Sequence, residues 1–271
     1  MQASSTWLPP GGTLGRILEE TRRRVASIEG GPAGLEAGSP ATRPTLSASL
    51  RGANVGVIGE IKRQSPSKGV LKGNLDAAKH SAAMERGGAV AISVLTEPAF
   101  FAGSLDDLAT VRDAVRLPIL RKDFHIDPLQ LVEARQRAAS AVLLIARALP
   151  QPQLLKLMEF AKRLGLETIV EVRTAEELER AVAAGSAIIG VNSRNLETLD
   201  VDEQVPERLM PLIPHEIIGV WESGVHDVDA VRRAANCGAD AVLVGSALSR
   251  ADDPEALVRE LASVKRQARR G

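Results

Sequence analysis

Lysine and glutamate residues stand at the ends of short apolar runs, where they could perform acid–base chemistry. Glu60 and Lys62, two positions apart, close the apolar run Val55–Lys62. Side chains alternate along a strand, so this carboxylate and this ammonium would project from one face. Burying two charges is costly, and this cost favours a functional role for the pair.

Four further apolar runs end in polar side chains of similar kinds, namely Lys122, Glu171, Asn192 and Glu222. Any one of them is equally well explained as a solvated strand end, but five such ends together favour a common site. A lysine can donate a proton, and a partly buried glutamate can have the raised pKa that a general base needs. We therefore predict acid–base catalysis without a metal. The histidines show no ligand spacing, which indicates structural or surface roles for His80, His125, His215 and His226.

Small residues follow the last two of these runs, in Glu222-Ser-Gly224 and Val244-Gly-Ser246. Such residues allow backbone amides to approach an anion closely, and barrel enzymes often bind phosphate with these two loops. A plain Gly-Ser helix start is the alternative. The pattern predicts a phosphate site at Gly224, Gly245 and Ser246. The Ser65–Lys68 segment is either a simple turn or a ligand clamp.

The composition favours a small-molecule ligand over a macromolecular partner. The 271 residues include 34 basic and 34 acidic ones, so no overall charge attracts nucleic acid or an anionic membrane. Aromatic content of 2% without tyrosine argues against a base-stacking surface. No apolar run reaches the ~20 residues that span a bilayer, and residues 1–10 lack a signal-peptide pattern. Cys237, the single cysteine, is interpreted as a packing residue, and a cytoplasmic location is expected.

The polar strand ends must be positioned by a repeating βα pattern. The apolar runs predict eight strands, at Val55–Lys62, Ala89–Leu95, Pro118–Lys122, Ala141–Ile145, Glu167–Val172, Ala187–Asn192, Glu216–Glu222 and Ala241–Val244. Helices are predicted between them, including Leu75–Arg86, Ser104–Ala114, Pro128–Ala138, Gln153–Leu164, Ala175–Ala183 and Val228–Ala235. Such alternation requires a parallel sheet. Eight units predict an α/β fold, the closed (β/α)8 TIM barrel. The competing doubly wound sheet should carry a glycine-rich fingerprint after its first strand, which this sequence lacks.

An additional helix is predicted before the barrel. We expect residues 1–12 to be frayed, Thr13 to be the N-cap of an amphipathic helix reaching Ile28, and residues 31–49 to form an extended connector. This gives an N-terminal extension, residues 1–49, and a catalytic barrel, residues 50–271. The apolar face of the helix should pack on the barrel near the mouth.

Motifs along the whole barrel resemble those of the indole-3-glycerol phosphate synthase family. They are Ile58–Gly69 (IGEIKRQSPSKG), Ile92–Glu97 (ISVLTE), Leu120–Phe124 (LRKDF), Ile126–Pro128 (IDP), Glu171-Val172, Ile189–Leu196 (IGVNSRNL), Glu222–Gly224 (ESG) and Val244–Ser246 (VGS). The resemblance implies a lyase of tryptophan biosynthesis that closes the indole ring of 1-(2-carboxyphenylamino)-1-deoxyribulose 5-phosphate and releases CO2 and water. It implies no cofactor, and a monomer is expected, with a weak homo-oligomer as the alternative.

The resemblance also implies a role for each matching residue. It makes Lys122 the general acid and Glu171 the general base, assisted by Lys62, with Glu60 and Asn192 orienting the reacting groups and Glu222 completing the mouth. It assigns substrate contacts to Ser65, near the anthranilate carboxylate, and to Phe124, Arg194 and Ser223. Phosphate would bind at Gly224, Gly245 and Ser246 with help from Lys62. Two residues, Trp221 and His125, depart from the family pattern, and alternation directs Trp221 outward, beneath the helices.

Three other functions fit parts of the pattern. Phosphoribosylanthranilate isomerase shares the barrel and phosphate site but needs a cysteine where Lys62 stands. An aldolase could form a Schiff base through Lys62 or Lys122. A non-catalytic barrel could bind phosphorylated ligands, although the charged residues of the mouth are all present.

Overall fold

Eight parallel strands close into a barrel in the computed structural model, which describes residues 7–28 and 43–269. The strands β1 to β8 span Gly56–Ile61, Ala91–Leu95, Ile119–Lys122, Ala141–Ile145, Glu167–Val172, Ile188–Asn192, Ile218–Glu222 and Ala241–Val244. Each pairs with the next, and β8 closes on β1 through the register Gly56 to Ala241. The predicted (β/α)8 barrel is confirmed, and each strand lies within its predicted run.

Helices surround the barrel. In chain order, α1 to α12 span Gly12–Ala26, Leu46–Ser49, Ala77–Gly87, Pro98–Phe101, Leu105–Ala114, Pro128–Gln136, Gln151–Arg163, Ala175–Ala183, Gln204–Leu209, Val228–Asn236, Ser246–Arg250 and Pro254–Leu261. Short 3-10 turns occupy Ala146–Ala148 and Met210–Leu212, and a small hairpin joins Gln64–Ser65 to Gly69–Val70. The six named barrel helices are confirmed with closely similar ends. None of the helices in the two described ranges is long and apolar enough to cross a membrane.

Side-chain caps fix where the outer helices begin. Asp127 accepts a hydrogen bond from the Leu129 amide at the start of α6, and Gln130 completes a capping box there. Asp76 and Asp227 cap α3 and α10 in the same way. Because such caps satisfy backbone donors that the first helical turn leaves free, each loop leaves its strand in a defined direction.

The barrel core is aliphatic, as the low aromatic content predicts. All residues of β1, β2, β4 and β6 are buried. Trp221 on β7 is 3% exposed, and the adjacent Glu222 lines the mouth, in agreement with the predicted alternation. Cys237, at the end of α10, packs against the core as predicted.

Helix α1 starts differently from the prediction. Its N-cap is Gly11, and Thr13 lies inside the first turn, 6% exposed. A tertiary contact replaces the side-chain cap, because Glu197 accepts hydrogen bonds from the Gly11 amide through Oε1 and from the Thr13 amide through its carbonyl. Gly12, at φ +56°, lies where a Cβ would overlap the Glu197 backbone.

The apolar face of α1 packs on the barrel near its mouth, as predicted. Leu14, Ile17 and Leu18 are buried, and Ile17 reaches the central cavity. The helix ends at Ala26 rather than at Ile28. Its apolar contacts therefore place α1 beside the strand ends that carry the polar residues.

The segments before and after α1 differ in part from the prediction. Residues 7–12 are docked rather than frayed, since the Trp7 indole donates to the Arg147 carbonyl at 3.2 Å and Arg147 donates to the Leu8 carbonyl at 2.7 Å. Residues 1–6 and 29–42 lie outside the described residues. The predicted connector is wrong at its end, where Thr45 caps helix α2 and Leu46 is fully buried. The division at residues 49 and 50 stays a prediction.

Candidate active site

A cavity of about 650 Å³ opens at the carboxyl ends of the barrel strands. It brings together every site residue that the sequence predicted, namely Glu60, Lys62, Ser65, Lys122, Phe124, Glu171, Asn192, Arg194, Glu222, Ser223, Gly224, Gly245 and Ser246. Parallel strands present their carboxyl ends to one rim of a barrel, which explains how residues so distant in sequence meet.

Lys122, the last residue of β3, lies between two carboxylates at the floor of the cavity. Its Nζ donates to Oε2 of Glu222 at 2.8 Å and to Oε2 of Glu171 at 3.2 Å. All three side chains are at least 85% buried, and those of Glu171 and Glu222 almost completely so. This arrangement places an ammonium donor and two carboxylate acceptors within one shared site.

Burial and charge shift the pKa values of this cluster. Burial alone would lower the pKa of Lys122, but the charges of Glu222, Glu171 and Glu60 more than offset it and raise the pKa. Lys122 is therefore a cation at neutral pH. Burial, opposed by Lys122, raises the pKa of Glu222 to about 7. Glu222 thus titrates in the range where enzymes commonly work.

Glu171 is held at both of its oxygens. Asn192 donates from Nδ2 to Oε1 of Glu171 at 3.0 Å, while Lys122 occupies Oε2. The amide of Arg194 donates to Oδ1 of Asn192 at 2.9 Å, which fixes the orientation of the Asn192 amide. A carboxylate oriented in this way is prepared for directed proton transfer.

Lys62 and Glu60 form a second ion pair on the β1 side of the mouth. Lys62 Nζ lies 2.8 Å from Oε1 of Glu60, confirming that the two side chains project together. Ser249 on α11 donates its hydroxyl to the Lys62 carbonyl at 2.7 Å. Oε2 of Glu60 and Oε1 of Glu222 are buried without a hydrogen-bond partner among the described residues. Both atoms are acceptors that a bound molecule could engage.

Two glycines give these carboxylates their space. A Cβ at Gly190 on β6 would overlap Oε1 of Glu222, and one at Gly245 would overlap Oε1 of Glu60 and lie close to Lys62 Nζ. Gly245 was predicted as a phosphate residue, but Gly190 was not predicted as a site residue. Gly190 lies in the family motif Ile189–Leu196, and a glycine inside a strand often marks a close approach.

The Gly190→Ala variant should displace the Glu222 carboxylate and disturb its bond to Lys122. We expect kcat to fall about tenfold, because small displacements of reacting groups are costly, while the protein remains folded. Steady-state kinetics with circular dichroism would measure both effects. Gly52→Ala is the matched control, since a Cβ there meets its nearest atom at an ordinary 3.6 Å; equal kinetics of the two variants would contradict the expectation.

Two consecutive residues of the first predicted phosphate loop adopt left-handed backbone conformations. Ser223 and Gly224 both adopt positive φ, at +66° and +78°, directly after β7. Gly245 and Ser246 follow β8 across the same rim of the cavity. The predicted phosphate residues therefore lie together, and their role as phosphate ligands stays a prediction.

Aromatic and cationic residues beyond the predicted site residues also line the cavity. The Phe101 ring lies 6.0 Å from that of Phe124, tilted by 34°. The Glu97 side chain accepts hydrogen bonds from the amides of residues 99, 100 and 101 and so caps α4, the helix that carries Phe101. Lys68 and Arg250 line the cavity too. The pKa of Lys68 is lowered, first by burial and then by the positive charges of Arg250, Arg194 and Lys62. Positive charge is therefore concentrated on this side of the cavity.

His125 is neutral and buried behind the site. Its Nδ1 lies 2.8 Å from the Leu143 carbonyl, which can only accept a hydrogen bond, so Nδ1 carries the proton. Burial, together with the charge of Arg121, lowers the pKa of His125 to about 3. No cluster of three or more His, Cys, Asp or Glu side chains in residues 7–28 and 43–269 is arranged to hold a metal ion.

Comparison with known proteins identifies the family. The model of the indole-3-glycerol phosphate synthase family matches residues 14–261, which covers the barrel and most of α1. The chain belongs to the indole-3-glycerol phosphate synthase family. The expectation of a carbon–carbon lyase with this activity is thereby confirmed over the competing barrel functions.

Relatives of the same name span nearly the whole chain. The indole-3-glycerol phosphate synthase of Mycobacterium avium (strain 104) is 45% identical over 258 residues, covering 94% of this chain and 95% of its own. That of Rhodococcus opacus (strain B4) is 46% identical over 252 residues, covering 92% and 94%. The family match over residues 14–261 includes every residue that lines the cavity.

Solved structures of lower identity share the barrel alone. The 3-hexulose-6-phosphate synthase of Salmonella typhimurium aligns with a TM-score of 0.62 at 14% identity, covering 77% of this chain and 97% of its own. Thiamine phosphate pyrophosphorylase of Pyrococcus furiosus aligns with a TM-score of 0.60 at 20% identity, covering 81% and 96%. At such low identity, these structures are similar to this chain in fold alone.

Proposed function

We propose that this cavity closes the indole ring of 1-(2-carboxyphenylamino)-1-deoxyribulose 5-phosphate, with Lys122 and Glu171 as general acid and general base. The observation that carries the proposal is the position of Lys122 Nζ, 2.8 Å from Glu222 and 3.2 Å from Glu171. The ammonium, the oriented base, the aromatic wall and the small-residue loops all face one cavity.

In the first step the ring carbon that bears the carboxylate attacks the substrate carbonyl. Lys122 donates a proton to the carbonyl oxygen as negative charge develops there, and Lys62 assists from the opposite side. Loss of CO2 returns the electron pair of the broken bond to the ring and restores its aromaticity. Glu222 and Glu60 hold the two ammonium groups during this step.

In the second step the new hydroxyl leaves as water. One of the two lysine ammonium groups, Lys62 or Lys122, donates a proton to the departing hydroxyl, while Glu171 accepts a proton from the methylene carbon next to the nitrogen, so the indole double bond forms. The sequence consumes two protons and releases one, and each turnover therefore takes up one proton from solvent when the substrate carboxylate is ionised. Asn192 keeps Glu171 aimed at the substrate through its 3.0 Å hydrogen bond.

Contacts at the phosphate, the carboxylate and the aromatic ring fix the substrate in the cavity. The phosphate binds at Gly224, Gly245 and Ser246 with Lys62, and Ser223 lies beside it. The anthranilate carboxylate lies near Ser65 and Arg194. The aromatic ring packs on Phe124 and its neighbour Phe101. Binding energy from the phosphate, which takes no part in the reaction, is used to align the reacting atoms.

The reaction should lose activity below neutral pH. The pKa of Glu222 is raised to about 7 by burial, so its protonation as pH falls weakens the contact that orients Lys122. We expect kcat/KM to decrease through an acidic limb with an apparent pKa near 7 that belongs to the coupled cluster. Measuring kcat/KM from pH 5 to 9 tests this, and Glu222→Gln should remove the limb. A limb unchanged in that variant would refute the assignment.

The decisive assay adds the carboxyphenylamino deoxyribulose phosphate to the purified chain in chelator-treated buffer and follows indole fluorescence. Stoichiometric product formation supports the function, whereas no product, or a strict requirement for added zinc or magnesium, would refute the proposed acid–base site. Borohydride treatment with a substrate ketone separates the synthase from an aldolase, since only a Schiff base is trapped.

We further propose a cytoplasmic monomer whose partner is its phosphorylated small-molecule substrate. The balanced charge, with 34 basic and 34 acidic residues, supports the absence of nucleic-acid and membrane partners. Size-exclusion chromatography with light scattering would test the oligomeric state, and a stable dimer would overturn this part of the proposal.

A further inference from the structure

We propose that Arg24 on the N-terminal helix is a positioning residue for Lys122 and acts through the buried carboxylate of Asp123. The inference rests on the proposed role of Lys122 as the general acid. It makes helix α1 a part of the catalytic arrangement through one defined ion pair, in addition to its apolar packing.

Asp123 follows Lys122 directly and is completely buried. Its Oδ1 accepts hydrogen bonds from Nη2 of Arg24 at 2.7 Å and from the Phe124 amide at 2.8 Å. Its Oδ2 accepts from the Thr96 hydroxyl at 2.6 Å and from Arg121 at 3.1 Å. Both carboxylate oxygens are thus held by two donors each.

Arg121, on the other side of Lys122, is equally fixed. Its guanidinium is 1% exposed and donates to the Gln130 carbonyl on α6 at 2.6 Å and to the Thr96 hydroxyl at 3.1 Å. Residues 121 and 123 therefore anchor the backbone immediately before and after Lys122. Side chains alternate in direction along the chain, so those of Lys122 and Phe124 point the other way, into the cavity.

Arg24 is the only member of this network that comes from outside the barrel, among the contacts of the described residues. A buried carboxylate needs a compensating charge. Removing one partner of such a pair destabilises the protein by more than the intact pair stabilises it. Burial alone would raise the pKa of Asp123, but Arg121 and Arg24 hold the pKa well below its usual range. Without Arg24, Asp123 keeps only Arg121 as a cationic partner.

Loss of Arg24 should therefore let Asp123 turn toward Arg121 and release the Phe124 amide. Lys122 and Phe124 are the nearest residues to take up that shift. A displacement of ~1 Å at a reacting group can cost up to about a hundredfold in rate. We expect the apolar contacts of Leu14, Ile17 and Leu18 to remain, since all three are buried and lie one turn or more before Arg24 on the helix. Helix α1 should therefore stay docked in the variant.

Arg24→Gln is compared with Arg23→Gln, its neighbour on the same helix. Arg23 is 74% exposed and pairs with Glu20 one turn away, so its loss removes a similar charge without touching the network. We expect kcat of Arg24→Gln to fall about tenfold with little change in KM. A displaced acid stabilises the transition state less but leaves substrate binding almost unchanged. Arg24→Lys should recover part of kcat, since it keeps a charge near Asp123.

A thermal melt and hydrogen exchange of residues 12–26 show whether α1 is still docked. Equal kcat values for Arg24→Gln and Arg23→Gln would overturn the inference, as would a loss of kcat that Arg24→Lys does not relieve at all. In the Asp123→Asn background, Arg24→Gln should have little further effect on kcat; full additivity would also overturn it.

The Lys122→Ala variant separates this inference from the proposed function. If that variant keeps near-normal turnover, Lys122 is not the acid and the role of Arg24 fails with it. If Lys122→Ala is inactive and Arg24→Gln is unaffected, the acid role stands and only the coupling to α1 is refuted.

Discussion

Lys122→Ala should lower kcat about a thousandfold, within the range that a positioned general acid contributes. The variant removes the ammonium that lies between Glu171 and Glu222. No proton donor for the substrate carbonyl then remains at that position. KM should change much less than kcat, because the phosphate loops and the aromatic wall are untouched. Steady-state fluorescence of the indole product measures both constants.

The control for this variant is Lys72→Ala, at an exposed lysine outside the cavity. Added methylamine should restore part of the activity of Lys122→Ala if the loss comes from the missing ammonium. Circular dichroism must show a folded barrel, since a buried pair broken on one side costs stability. Turnover near that of the Lys72 control would refute Lys122 as the acid.

The barrel was predictable because each strand and helix carries its own local signal. Continuous apolar runs predict strands buried on both faces, and the eight runs each contain one observed strand. The errors occur where tertiary contacts replace local signals. Glu197, far away in sequence, caps α1 in place of Thr13, and the buried Leu46 with its cap Thr45 forms a helix within an otherwise loop-like segment.

The candidate site was predictable where its residues lie on strand ends, in the small-residue loops after β7 and β8, or in the family motifs. Residues that reach the cavity from outside these segments carry no such signal. Phe101 arrives because Glu97 caps α4, and Arg250 arrives on the short helix after β8. Gly190 matters only because Glu222 lies against it. Glu222 is distant from Gly190 in sequence, and Phe101 and Arg250 reach the cavity through the orientation of two short helices, so no local pattern could assign these residues.

Glu171→Gln should lower the overall rate about a hundredfold or more by removing the general base, and it should do so mainly in the dehydration. The amide is close in size to the carboxylate, so the contact with Asn192 at Oε1 can persist. Ring closure and loss of CO2 need the Lys122 acid rather than this base. A single-turnover experiment should therefore release CO2 well before indole fluorescence appears.

The separation of the two steps distinguishes a base from a residue that only positions Lys122. If Glu171 merely held the ammonium through its 3.2 Å contact, its loss would slow CO2 release and indole formation together. Glu179→Gln, an exposed change on the helix that follows β5, should leave both phases unchanged. Equal slowing of the two phases in Glu171→Gln would reassign Glu171 to positioning, because only a base for the second step can delay indole formation selectively.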